Sequence, residues 1–147
     1  MDLYGLLGYP LGHSFSAAYF TEKFSNLQID ARYCNFEYNS VEAALAYMMQ
    51  QDELKGFNVT IPYKEKIIPY LSELSADAAA IGAVNVVKVI RDGNGKVSLK
   101  GYNSDYIGFV DSIKPLLHTD CHRSALVLGT GGASRAIVYG LCSLNLQ

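Results

Sequence analysis

The stretch Gly56-Phe57-Asn58-Val59-Thr60-Ile61-Pro62-Tyr63-Lys64 holds the residues best suited to chemistry. Strand alternation puts Asn58 and Thr60 on one face, two small polar groups leading to an ammonium. Lys64 falls where the pattern predicts the first turn of a helix. A cation there opposes the macrodipole, so something other than helix stability would hold it in place. The alternative is a solvated lysine followed by Glu65 and Lys66, and spacing alone favours it. Asp105 follows Gly101-Tyr102-Asn103-Ser104 and opens a helix, where a carboxylate is an ordinary capping neighbour. Asn85 lies in an apolar run, and a buried amide needs partners from a loop or a ligand. His13-Ser14-Phe15-Ser16 reads as a helix N-cap, with Ser14 or Ser16 the capping residue and His13 structural. Three histidines without ligand spacing predict no metal. The last candidate is Gly129-Thr130-Gly131-Gly132-Ala133-Ser134, a glycine turn between strand and helix. Such a turn lets backbone N–H groups approach a pyrophosphate. Ser134 replaces the third glycine of G-x-G-x-x-G, and a tight packing turn is the alternative. The flanking strand and helix favour the nucleotide.

The elements that position these groups follow from periodicity. Asp2 to Gly8 is a short apolar run, read as a buried strand. Phe20, Phe24 and Leu27 share one face of a helix over Phe15 to Leu27. Ala31 to Tyr38 alternates as a strand, and Ser40 caps a helix carrying Val41, Ala44, Leu45 and Met48. Gly56 to Ile61 is strand-like. Pro62 then suits the start of a helix over Lys64 to Leu74, which Pro69 should kink or split. Ala76 to Ile81 is a short helix ending at Gly82. Strands Ala83–Arg91 and Lys96–Tyr102 around Asp92-Gly93-Asn94-Gly95 predict a hairpin. Asn103 or Ser104 caps a helix ending near Pro115. A polar link, His118 to Arg123, leads to a strand over Ser124 to Leu128 and a helix over Ala133 to Leu144. Strands alternating with helices predict an α/β fold: a mixed, largely parallel sheet flanked by helices, with one antiparallel hairpin, then the first β-α unit of a Rossmann-type domain.

Composition narrows the class. The 147 residues are 50% hydrophobic and 18% charged, with a formal net charge of −2, which excludes a disordered chain. No basic run gives a footprint for nucleic acid or an anionic membrane. No window reaches the roughly 18 apolar residues of a spanning helix, and the start lacks a signal-peptide pattern. Cys34, Cys121 and Cys142 are widely spaced and never C-x-x-C, which predicts reduced cytoplasmic thiols. A mononucleotide-binding half requires at least β-α-β-α-β, and the sequence stops at Gln147 where the next strand is due. The expectation is therefore an amino-terminal fragment. Its unpartnered last strand would invite self-association.

Taken together, these segments resemble the shikimate dehydrogenase family across nearly the whole chain. Gly8-Tyr9-Pro10-Leu11-Gly12-His13-Ser14-Phe15-Ser16 is similar to the family's substrate motif, whose two serines bind the shikimate carboxylate. Gly56 to Lys64 is similar to the stretch ending in the catalytic lysine. Gly82-Ala83-Val84-Asn85 and Asn103-Ser104-Asp105 with Gly108-Phe109 resemble the segments that carry a substrate-binding asparagine and the lysine's aspartate partner. The resemblance reverses the solvated reading of Lys64. It implies Lys64 and Asp105 as catalytic residues, with Ser14, Ser16, Asn58, Thr60 and Asn85 joining them around substrate. It also implies that Gly129, Thr130, Gly131, Gly132 and Ala133 hold NADP (NAD possible). The implied activity is reduction of 3-dehydroshikimate to shikimate, with residues 1–103 as substrate domain and 104–147 as linker helix and start of the cofactor domain. A quinate/shikimate dehydrogenase and a non-catalytic shikimate-binding module are the alternatives. Val86 and Ser104 stand where threonine is usual and Ala17 where proline is common. The glutamine of the family's C-terminal segment has no counterpart.

Overall fold

The computed structural model describes residues 1–12, 14–118 and 120–146, so His13 lies outside the described residues. Strand β1 (Asp2–Gly8) is almost wholly buried and pairs in parallel with β2 (Ala31–Glu37) on one side and β3 (Leu54–Val59) on the other. An apolar run buried on both faces is what a central parallel strand requires. Beyond β3 the direction reverses. Strands β5 (Val86–Arg91) and β6 (Val97–Tyr102) form an antiparallel hairpin, and the two-residue β4 (Glu73–Leu74) closes the edge, giving the order β2-β1-β3-β5-β6-β4. Three pairings are parallel and two antiparallel. The hairpin turn is built by Asp92, whose Oδ1 accepts from the N–H groups of Asn94 and Lys96.

Helix α1 (Ser16–Asn26) lays Phe20 and Phe24 on one face of the sheet, with Leu6, Leu11 and Tyr33. The opposite face carries the main core, where Leu7, Met48, Leu54, Ile67 and Val84 are fully buried. Helix α2 (Val41–Met48) covers it, with Ser40 accepting from the Ala43 N–H as the sequence predicts. Helix α3 (Ala76–Ile81) is capped by Ser75 and closes at Gly82. Helices α4 (Asp105–Ile113) and α5 (Gly132–Ser143) pack against each other where a Cβ on Gly140 would lie 3.0 Å from Val110.

Four expectations are corrected. No helix spans Lys64–Leu74: hydrogen-bonded turns lead into a 3-10 turn at Ile68–Tyr70, and Ser72 then joins the sheet edge through its N–H to Leu99. Pro69 sits in that turn, where its missing N–H and fixed φ are tolerated and a regular helix is not continued. Lys64 therefore does not face a helix dipole. The β5 strand begins at Val86, leaving Ala83–Asn85 as a connection. Neither Ser14 nor Ser16 caps α1, because Phe15 enters the helix already in helical conformation (φ −71°, ψ −26°). Ser124–Leu128 is not a strand. It has no neighbouring strand to supply a ladder, and Leu126 and Leu128 are 85% and 87% exposed. The strand edge on which the expected self-association rested is thus not formed.

Candidate active site

The reversal between β3 and β5 brings four chain passages to one edge of the sheet. The carboxyl ends of β1, β3 and β6 meet the amino end of β5 there. Backbone bonds knit them together: Thr60 N–H to Leu7 O (2.9 Å), Val59 N–H to Asn85 O (2.9 Å) and Asn85 N–H to Tyr102 O (3.0 Å). Ligands of α/β sheets characteristically bind beyond the carboxyl ends of parallel strands.

Lys64 is held by its neighbours and its own backbone. Tyr63 and Ile67, four residues apart, are anchored in the core, with the Tyr63 hydroxyl donating to Tyr38 O at 2.7 Å. Lys64 O accepts from the Val84 N–H at 2.8 Å. This fixed stem presents Nζ to Asp105 Oδ2 at 2.6 Å, with side chains 18% and 29% exposed. Asp105 is itself placed by Asn103, whose Oδ1 accepts the Asp105 N–H at 3.0 Å while its Nδ2 donates to Ala83 O. Asn85, 9% exposed, finds every partner it needs. Its Nδ2 donates to Asp105 Oδ1 (2.7 Å) and Ser104 Oγ (3.0 Å), and its Oδ1 accepts the Ser104 N–H (2.8 Å). Both carboxylate oxygens of Asp105 are thus occupied by donors. A partly buried ammonium, oriented by a carboxylate and open to solvent on one side, can hold a proton against an oxygen of a bound molecule.

Thr60, next to Val59 whose N–H bonds to Asn85 O, also lines a cleft of about 600 Å³ with Leu11, Ser14, Ser16 and neighbouring residues. Ser14 Oγ is buried without a hydrogen-bond partner among the described residues. A buried hydroxyl left unpaired costs about 1–3 kcal/mol, which a ligand oxygen would offset. Asn58 lies close by: its Oδ1 accepts from the Tyr33 hydroxyl at 2.8 Å, and its Nδ2 donates to Asn85 O at 3.4 Å. Tyr33 was not among the residues singled out from sequence. The available signal was a tyrosine in a buried strand, whose hydroxyl must find a partner. Burial pushes its phenol up to about 12, against a smaller opposing effect of the Ser16 hydroxyl.

The glycine turn packs onto the same region. Gly129 has φ +129°, a conformation L side chains rarely adopt, and a Cβ there would lie 2.6 Å from Ser134 Oγ. Gly132 is the buried point of contact with the Lys64 segment. A Cβ at this position would sit 2.9 Å from Ala83 Cβ and 3.3 Å from Lys64 Cβ. Thr130 and Gly131 are exposed, a Cβ on Gly131 would meet nothing within 4 Å, and no side chain caps α5. Free N–H groups under an open glycine surface fit a diphosphate. Further along the same face, helix α5 is clasped by polar bonds. Arg135 pairs with Glu65 at 3.1 Å, and Tyr139 donates to Asp77 at 2.8 Å. The Tyr106 and Tyr139 hydroxyls beside Asp77 hold its carboxyl below the ordinary range. Among the described residues no group of three or more His, Cys, Asp and Glu is placed to hold a metal ion, and no helix is long and apolar enough to cross a membrane.

The fold is thus a mixed α/β sheet with an ammonium–carboxylate pair at the carboxyl ends of its strands, abutted by a glycine turn that opens a helix. A family model described as the shikimate dehydrogenase substrate binding domain matches residues 6–87. The chain belongs to the shikimate dehydrogenase family. A shikimate dehydrogenase (NADP(+)) of Aquifex aeolicus is 44% identical over 141 residues, covering 95% of this chain and 51% of the relative. One from Dictyoglomus thermophilum is 41% identical over 146 residues, 99% of this chain and 51% of its own. The crystal structure of the Aquifex aeolicus shikimate dehydrogenase matches with a TM-score of 0.87 at 40% identity, over all of this chain and 54% of that one. That of the Thermus thermophilus enzyme in complex with NADP(H) and shikimate matches with a TM-score of 0.82 at 31% identity, over 99% and 54%. The chain thus spans about half the length of the curated relatives it matches.

Proposed function

We propose that this chain forms the substrate domain (residues 1–103) and the opening of the cofactor domain (104–147) of an NADP-dependent dehydrogenase that interconverts 3-dehydroshikimate and shikimate. The observation that carries this is Lys64 bonded to Asp105, with Asn85 bridging, beside a cleft where Ser14 lacks a partner. The family and the shikimate-bound structural relative support the choice of substrate. Ser14 and Ser16 donate to the substrate carboxylate, with Thr60 on the same cleft wall. Asn58, Asn85 and Asp105 hold the ring hydroxyls. The glycine turn from Gly129 through Thr130, Gly131 and Gly132 to Ala133 holds the cofactor diphosphate, and bound NADPH supplies the hydride. During reduction Lys64 stabilises the oxygen that gains negative charge and gives it a proton from Nζ. In oxidation neutral Lys64 accepts the hydroxyl proton. Asp105 keeps Nζ aimed in both directions and counterbalances its charge.

The test is Lys64→Ala in a protein of the relatives' length that contains this chain. Shikimate oxidation followed by NADPH absorbance should show kcat lowered ~10²-fold or more, with a smaller change in KM. A near-normal kcat would overturn the role of Lys64.

A further inference from the structure

Asn58 is an amide whose two ends are nearly indistinguishable in shape but opposite in hydrogen bonding. Its orientation follows from its neighbours. The Asn85 carbonyl on one side is acceptor-only, so it faces Nδ2. Oδ1 then faces the Tyr33 hydroxyl, which donates to it at 2.8 Å. The reverse orientation would set Oδ1 against the Asn85 carbonyl, acceptor against acceptor. Tyr33 is 8% exposed, and its ring stacks on Phe20 of α1 with centroids 4.6 Å apart and planes 13° from parallel. The ring thus reaches over β1, which lies between β2 and β3, and delivers its hydroxyl from a rigid support. The phenol keeps its proton throughout the physiological range, so it remains a donor.

Building on the proposed substrate, we propose that Tyr33 is a positioning residue. Its hydroxyl occupies the Oδ1 end of the Asn58 amide, whose sense the Asn85 carbonyl sets, so that Asn58 meets the ligand through N–H. Asn58 then selects an oxygen acceptor, a hydroxyl, carbonyl or carboxylate, and disfavours a donor at that point of the ring.

The test is calorimetric titration of shikimate into a protein of the relatives' length that contains this chain, unaltered and as Tyr33→Phe, Asn58→Ala and the double variant, each checked by thermal melting. Tyr33→Phe should weaken binding about tenfold, since it removes the bond that holds Oδ1 and leaves the amide placed only by the 3.4 Å contact with Asn85 O. Added to Asn58→Ala, the same change should cost less than about twofold, because its target is gone. Additive losses in the double variant, or unchanged binding by a folded Tyr33→Phe protein, would overturn the role of Tyr33 alone. No binding by that unaltered full-length protein would overturn the proposed substrate and the inference with it.

Discussion

Replacing Asp105 by asparagine keeps the shape of the side chain and removes one acceptor. In the native site Oδ2 accepts from Lys64 Nζ at 2.6 Å and Oδ1 from Asn85 Nδ2 at 2.7 Å. An amide can serve only one of these donors and must turn its NH2 against the other. Keeping its oxygen on the ammonium sets NH2 against Asn85 Nδ2. Asn85 cannot turn to compensate, because its Oδ1 holds the Ser104 N–H at 2.8 Å. The loss is therefore part of one charge-assisted bond, Lys64 to Oδ2, and all of another, Asn85 to Oδ1, each worth about 1.5–3 kcal/mol in a dry site. Solvent reaches both side chains of the ion pair, 18% and 29% exposed, and trims the sum to about 2–3 kcal/mol. At 2–4 °C per kcal/mol for a chain of this size, the melting temperature should fall roughly 4–12 °C at pH 7. Asp105→Ala should be no worse, because it opens room for water to accept from both donors. Thermal unfolding followed by circular dichroism measures both variants. An asparagine variant within about 0.5 kcal/mol of the parent, or clearly milder than the alanine one, would refute the two-donor argument.

The remaining predictions concern the clasp around α5. Gly132→Val should destabilise the fold by about 1–3 kcal/mol, since its Cβ alone would meet Ala83 at 2.9 Å. In a protein of the relatives' length it should also raise KM for NADP more than KM for shikimate, and equal effects on the two would count against a cofactor turn. Asp77 has a carboxyl held below its ordinary value of 3.8 by Tyr106 and Tyr139. Its stabilising effect is therefore present above that value and lost as pH falls through the depressed one. Asp77→Asn should melt below the parent at pH 7 and converge with it in acid, and a gap independent of pH would contradict the linkage.

Patterns within one element were readable from sequence. The apolar run of β1, the Ser40 cap of α2, the α3 stop at Gly82 and the Asp92 turn each rest on contacts a few residues apart. The Lys64 segment misled because Tyr63 and Ile67, spaced like a helix face, are instead anchors that pin a series of turns to the core. The Ser124–Leu128 run has strand composition, but composition does not supply a neighbouring ladder. Most site residues were reached through a resemblance of motifs, and their bonding was not legible. Tyr33 meets Asn58 across an intervening strand and 25 residues of sequence, so no local pattern marks the pair. The Gly132–Lys64 contact likewise joins segments that become neighbours only once α5 has docked.

The antiparallel turn in the sheet has a kinetic consequence. Asn85 and Asp105, 20 residues apart, meet when the β5–β6 hairpin forms, but Lys64 and Asp105 are 41 apart, so the ion pair closes only after that hairpin has joined β3. Loops of that length form late, after the local helices and the hairpin itself. The ion pair is then largely absent from the folding transition state. A ligand that binds this cluster should slow unfolding in proportion to its occupancy and leave the rate of folding almost unchanged. The site would act as a clasp on the finished sheet rather than as the nucleus from which the sheet grows.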